Sequence, residues 1–486
     1  MPACERARRD ARRFARWLLP VCVLGARSVF AGVDFEPRVS FGVSHTDNLT
    51  LAADDKESQT VYQLTPSFRF GQESPRVSSN AAYRIEAYDF RERHDSSVFN
   101  RVDGNVRVAL DPNNFFFDLG ASRDQTIVDP EAPIPQSNLP ISTNRINRDQ
   151  GYWGPTFQYS LGANATATGS FRRSIIRYHA LDSGVGDDAR DFDQDVLAFG
   201  FNNYRRQSGF TWAMRYSADR TNYDLFPAYE YRQASVELGS WAGRGVRVFA
   251  TGGKESPWDM PFDSALEDTF WEIGLSTQQE KRFHVDLATG ERSYGRSKRA
   301  SLDFAFAHGS MQVTYAEQPT TQGRDPYLGG LLSADAGRDF LTRINSAERF
   351  LSKQWRWTMG FNLRRTDFSL SAFDETRADR FRLDGTPLDD ESQNGRSLSA
   401  SLHAGSRTDF VLNLWSVHRE FIGTISRTVV DAKAASFRVN YGLGRQTTVS
   451  LEYKHSEEDS EENTLRPGYA ANEVSVLLTR TFLAGR

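Results

Sequence analysis

The chain of 486 residues contains two cysteines, Cys4 and Cys22, both in an arginine-rich first stretch. Beyond Cys22 no disulfide framework or thiolate metal site can be built. Long apolar runs are also missing. No later segment reaches the roughly 18 consecutive apolar residues a membrane helix needs, which excludes a helical membrane protein. No linker of biased composition divides the chain, so a single large domain is expected. The eight histidines, His45, His94, His179, His284, His308, His403, His418 and His455, are scattered without Ser/His/Asp spacing, and there is no Gly-x-Ser-x-Gly. These absences argue against an enzyme and call for no cofactor.

The first stretch reads as a signal. Arg6, Arg8, Arg9, Arg12, Arg13 and Arg16 form a basic start, "WLLPVCVLGA" a short apolar core, and Val29-Phe30-Ala31 a small-residue cleavage site, leaving residues 32–486 as one mature domain. Removing seven arginines and two acids with residues 1–31 takes the formal charge from −4 to −9, which excludes a nucleic-acid partner.

Aromatics make up 12% of a chain that is only 39% hydrophobic, and period-two alternation recurs almost throughout. "VYQLTPSFRF" sets Tyr62, Leu64, Phe68 and Phe70 against Gln63, Thr65, Ser67 and Arg69, and "FRVNYGL" sets Phe437, Val439, Tyr441 and Leu443 against Arg438, Asn440 and Gly442. Each is a half-buried strand. About 22 strands (20–22) are expected, from 36–46 to 470–482, including 340–351 and 354–368 around a Ser352-Lys353 turn. The connections then sort by parity. Long ones such as 47–59, 125–149, 181–191, 256–267, 318–339, 369–394 and 457–469 alternate with tight turns such as "QESP", "DPNN", "GRQT" and "SRT". Long loops at one end, tight turns at the other and an even strand count predict an all-β fold, a transmembrane antiparallel up-and-down β-barrel of a Gram-negative outer membrane. Closure removes the edge strands that so large a sheet would otherwise expose.

The C-terminal "VSVLLTRTF" puts Val474, Val476, Leu478 and Phe482 on one face and ends near the aromatic that barrel-assembly machinery reads. Tyr152, Trp153, Trp241, Trp355 and Trp357 lie near strand ends, as interfacial girdles do. Because the first strand begins within about five residues of the expected cleavage site, there is no room for a plug domain.

So many strands enclose a lumen wide enough for water. Arg69, Arg84, Glu86, Arg107, Asp286, Asp303, Arg438, Glu452 and Lys454 oppose apolar faces on their strands and are the candidate lumen-lining residues. A wall of mixed charge suits hydrated, polar or saccharide-like solutes, although a solvated wall needs no ligand. The connection "DPEAPIPQSNLPISTNRINRD" (129–149) is stiff and cannot extend the sheet, so it is expected to fold over or into the mouth. Asn144, Arg145, Asn147 and Arg148 then latch it to the wall or touch a passing polymer. Asp191, Asp193 and Asp195 share a strand face that could hold Ca²⁺, but they depart from an EF-hand, and solvation or contact with lipopolysaccharide through divalent ions is the simpler reading. Thr46-Asp47-Asn48 reads as a turn initiator or a binding motif.

"PRVSFGVSHTDNLTL", the acidic "AADDKES", "LTPSFRF" and "STNRINRDQGYWGPTFQYSL" resemble the outer-membrane β-barrel family associated with the PEP-CTERM/exosortase protein-sorting system. The resemblance runs over the mature chain. It implies an outer membrane whose cell also makes an extracellular polysaccharide, and a part in exporting or organising that polymer. Outer-membrane lipids, lipopolysaccharide, the assembly machinery and the polysaccharide are the partners expected. A structural or adhesive barrel with an occluded lumen and a general porin-like diffusion channel are the alternatives.

Overall fold

The computed structural model describes residues 33–482, apart from 94, 128–134, 136, 143–144, 163, 181–190, 205–208, 225–227, 243–244, 258–264, 278–281, 322–347, 383–386, 389, 423–426 and 462–467. The expected signal and Asn144 lie outside the described residues. Twenty-two strands follow one another. The first eight are β1 (Val33–Thr46), β2 (Gln59–Glu73), β3 (Val77–Phe90), β4 (Asp95–Asp111), β5 (Phe115–Ile127), β6 (Arg145–Leu161), β7 (Ala165–Ala180) and β8 (Phe192–Asn202). Next come β9 (Phe210–Tyr223), β10 (Tyr229–Ala242), β11 (Val246–Glu255), β12 (Asp268–Thr277), β13 (Phe283–Arg292), β14 (Gly295–Phe306) and β15 (Gly309–Thr321). The last seven are β16 (Glu348–Asn362), β17 (Thr366–Arg382), β18 (Asp390–His403), β19 (Thr408–Ile422), β20 (Arg427–Gly442), β21 (Thr447–Glu461) and β22 (Tyr469–Thr481).

Each strand pairs antiparallel with its neighbour in sequence, and β1 pairs with β22 from Arg38↔Thr481 to Thr46↔Glu473, so the sheet closes on itself. Among the described residues there is no helix. Closure gives every strand a partner on both sides and leaves no edge.

The alternation fixes which face looks where. Phe41, Leu64, Val98, Phe210, Met214, Leu238, Val248, Trp271, Ile273, Leu451 and Val476 all project outward and are exposed. Register joins them into continuous rows, as in Phe41↔Leu64, Leu64↔Ala87 and Ala87↔Val98. Strands run from 10 to 17 residues. Ten residues at ~3.3 Å each and a tilt of about 40° rise ~25 Å, the height of an apolar membrane band, so the longer strands project past it.

That projection changes two readings. Ser352-Lys353 is no turn: Ser352 sits inside β16 and bonds Glu375, while Lys353 continues the outward row of Trp355 and Trp357. The chain reverses instead at 363–365, where the Leu363 N–H donates to the Thr366 carbonyl. Most of the expected loop 369–394 is strand, in β17 and β18. Outside the membrane both faces of a strand meet water or polar neighbours, the alternation fades, and a strand looks like a loop. For the same reason β6 begins at Arg145, so Arg145, Asn147 and Arg148 belong to the ladder with β5 and not to the loop before it.

Candidate functional site

The inner wall is built from residues one position off the apolar rows, and many of its charges come as ion pairs. Arg107 grips Asp118 with two parallel bonds of 2.7 and 3.2 Å, Arg84 donates to Glu86 at 3.0 Å, and Arg299 to Asp286 at 2.8 Å. Glu452 is flanked by Arg438 at 3.0 Å and Lys454 at 3.8 Å. Asp303 accepts from Gln312 at 2.7 Å, and Arg69 is exposed on the inner face of β2. The nine residues marked from sequence as lumen-lining therefore all stand on the wall opposite the apolar rows. Tyr152 also faces inward, where the Arg172 guanidinium lies 3.9 Å over its ring, so it is not a girdle residue. Gly120 makes room for that ring: a Cβ there would lie 2.2 Å from it.

A cavity of about 1100 Å³ opens against the β6–β15 part of the wall. Glu237 anchors it, buried between Arg215 at 2.9 Å and Arg247 at 2.7 Å, and it also accepts the Tyr204 hydroxyl. Burial, reinforced by that carboxylate, holds the Tyr204 phenol above its ordinary range, so the hydroxyl remains a donor. Arg292 closes the upper part, 3.0 Å from Glu272 and stacked 4.4 Å over Phe270.

The connection between β5 and β6 does not stand away from the barrel. Asn138 donates to Glu86 at 2.8 Å, Ser137 to Glu473 at 2.7 Å, and the Ile141 N–H to the Leu49 carbonyl at 2.9 Å. Leu139 is buried with Leu49, Val61, Tyr88 and Phe90, and Ile141 packs against them. Since Val61, Glu86, Tyr88, Phe90 and Glu473 are inward positions, this segment lies inside the lumen against β22, β1, β2 and β3. Arg145 secures it from beneath: the guanidinium donates to the Ser137 carbonyl at 2.9 Å and to Asn138 at 2.7 Å, and rests 5.7 Å over Phe99. Arg148 pairs with Asp124 at 2.7 Å across the β5–β6 ladder, and Asn147 stands opposite Gln125.

Thr46-Asp47-Asn48 is a turn that also fastens the barrel. Asn48 bonds both backbone groups of Ala52 and the Ala470 carbonyl, and Asp47 bonds Asn472, each reaching from β1 across to β22. At the long-loop end of β16–β18 lies a second withdrawn set. Glu375, Arg377, Glu391 and Phe350 have no exposed surface; Arg377 donates to Glu375 at 3.1 Å and lies 4.8 Å over Phe350.

The remaining sequence candidates have ordinary partners. Asp193 and Asp195 face outward against Arg173 and Arg177, at 3.2 and 3.6 Å from Arg173, so guanidinium groups meet these carboxylates. His45 meets the hydroxyls of Thr60 and Ser58, whereas His403 lies 2.7 Å from Asp409 and 3.6 Å from Asp367. The Ser401 hydroxyl goes to Asp367 and not to the imidazole. Neither histidine stands in the nucleophile–base–acid order of a hydrolase.

A closed sheet with apolar rows outside and paired charges around a central cavity has only one solvent that suits its outer face. The chain is an outer-membrane β-barrel. Among solved structures this barrel is similar to the siderophore receptor PirA from Acinetobacter baumannii, at 10% identity and a TM-score of 0.46 over 92% of this chain and 80% of that one. It is also similar to the FrpB iron transporter from Neisseria meningitidis (8% identity, TM-score 0.43, 95% and 82%). Acinetobacter baumannii OccAB3 matches at 10% identity and a TM-score of 0.35, over 93% of this chain and all of that one. These likenesses concern the fold alone. No protein-family model matches the sequence, and no curated protein matches it.

Proposed function

We propose that this barrel is a channel through the outer membrane, narrowed by the β5–β6 loop, that serves the export or surface organisation of an extracellular polysaccharide. The carrying observation is the docking of residues 137–142 on the inner wall, tied by Arg145, Glu86 and Glu473, beside a cavity walled by polar and charged side chains. A loop held by its own hydrogen bonds inside a hydrated lumen sets the width of a passage. The polymer enters from the resemblance of the sequence to barrels of the PEP-CTERM/exosortase system. A wall of hydrogen-bonding groups with stacked aromatics, such as Tyr152 and Phe270, is chemistry a hydrated saccharide can use.

A second reading, a structural barrel with a blocked lumen, is favoured by the inner-wall side chains withdrawn from solvent at the long-loop end: Ile176, Phe192, Tyr223, Tyr229 and Tyr231 on one side and Glu375, Arg377 and Glu391 on the other. Planar-bilayer recording of the folded full-length barrel separates the two. A stable, voltage-insensitive conductance supports the channel; silence from folded protein rejects it.

A further inference from the structure

Four ion pairs of the lumen are not symmetrical, although Arg148–Asp124 is, at 22% and 25% exposed. In Arg84–Glu86, Arg107–Asp118, Arg215–Glu237 and Arg299–Asp286 the arginine side chain keeps 47–59% of its surface exposed, while the acid keeps 4–25%. Arg438 and Lys454 flank a buried Glu452 in the same sense. Arg172 is exposed on the wall with an aromatic ring, Tyr152, beneath it. These strands run from β3 to β20, so the asymmetry extends around the barrel.

Side-chain length produces it. A carboxylate sits one or two carbons from the backbone and accepts its bonds close to the sheet. A guanidinium on three methylenes covers the acid and presents its remaining N–H groups to the lumen. Exposed acids of the inner face lie mostly near the tight-turn rim, as Asp367 and Asp409 do beside His403. Asp103 on β4 is exposed further along the passage, but the exposed inner-face cations Arg69, Arg84, Arg107, Arg172, Arg215 and Arg299 outnumber it there.

We infer that the lumen selects anionic solutes, carboxylate- or phosphate-bearing, in a protein whose own net charge is negative, with Arg84, Arg107, Arg215 and Arg299 as the selecting groups. Formal charge counts both members of each pair equally, but a solute in the lumen meets the guanidinium first. Arginine does not lose its proton in the accessible pH range, so the preference is permanent. Cations lining a pore concentrate anions inside it, and salt screens the effect. For a polymer, the fitting class is an acidic polysaccharide.

This inference rests on the channel reading, and its test keeps the two apart. In a planar bilayer with a KCl gradient, the reversal potential reports chloride against potassium permeability, while conductance itself reports the channel. Wild type should favour chloride several-fold, more strongly at low salt. The combined R84Q, R107Q, R215Q and R299Q variant should lose the chloride preference and shift towards potassium, because Glu86, Asp118 and Asp286 lose their guanidinium partners, while Glu237 keeps Arg247. Should that variant fail to fold, D118N in the wild-type background should raise the chloride preference. A second readout needs no conduction: the detergent-folded barrel should bind polygalacturonate and not neutral dextran of equal length. A cation-selective wild type overturns the inference while leaving the channel standing. A silent barrel that also ignores polygalacturonate overturns both.

Discussion

The Asp47 side chain is joined twice to Asn472 across the closing seam: one carboxylate oxygen accepts the Asn472 backbone N–H at 2.7 Å and the other accepts its side-chain amide at 2.7 Å, beside a backbone bond from the Asp47 N–H to the Asn472 carbonyl at 3.2 Å. The β1–β22 ladder ends at Thr46↔Glu473, so this pair continues the closure one step beyond the last strand pairing. Asp47→Ala removes both acceptors and leaves two donors unmet, a loss of about 1–3 kcal/mol. The temperature at which the folded species disappears on a semi-native gel should fall. Melting at the wild-type temperature would show that the seam does not depend on this pair.

Arg145 holds the lumen loop through the Ser137 carbonyl and the Asn138 side chain. Arg145→Ala should therefore free the loop without opening the barrel. Limited proteolysis of the folded protein should cut between residues 130 and 143 much faster, with the gel melting temperature little changed. Equal cleavage rates in the two proteins would assign the latch elsewhere.

The outer face predicts a position-dependent cost. Val236 lies mid-strand on the outer face and Ser235, one residue away, on the inner wall. Val236→Arg should destabilise the barrel by about 2–4 kcal/mol, the cost of arginine near the bilayer midplane. Ser235→Arg should change stability little, because its charge enters a wet lumen. Urea titration in lipid vesicles measures both; equal losses would contradict the assignment of faces.

Glu375 and Arg377 form a fully withdrawn pair, with Ser352 donating to Glu375 at 3.0 Å. Glu375→Ala removes the acceptor of Arg377, Ser352 and Gln393 at a site closed to solvent and leaves Arg377 with the more distant Glu391 at 3.9 Å, at a cost of about 3–5 kcal/mol. Glu375→Ala should lower the urea midpoint by far more than Asp118→Ala, whose pair is half exposed. Equal midpoints for the two variants would mean that water reaches Glu375.

Much of this architecture was legible in the sequence, because inside the membrane band the solvent on each face is fixed and the side chains must alternate. Leu64, Phe437 and Val476 could be assigned to the outer row, and Arg84, Arg438 and Glu452 to the inner one, from that rule alone. Where strands leave the band it fails: Ser352 and Lys353 look like a turn although they lie inside β16, and Arg145 looks like part of a loop although it starts β6. The inward docking of residues 137–142 was foreshadowed by the prolines of the connection, Pro130, Pro133, Pro135 and Pro140, which forbid a further strand. Its partners Glu86 and Glu473 were not, since nothing local links residues so far apart in sequence. The unequal exposure of lumen arginines and acids depends on how side chains lie across neighbouring strands, and register from strand to strand is not written in any one segment. Thr46-Asp47-Asn48 carried a turn signal; its reach to β22 needed the closed barrel.

The central claim, a passage whose width the β5–β6 loop sets, is tested most directly by removing residues 130–143 and recording single channels in planar bilayers beside the intact barrel. A larger unitary conductance in the shortened protein, with strand content and heat-modifiability preserved, is the predicted result. An unchanged conductance, or silence from both folded proteins, would contradict it.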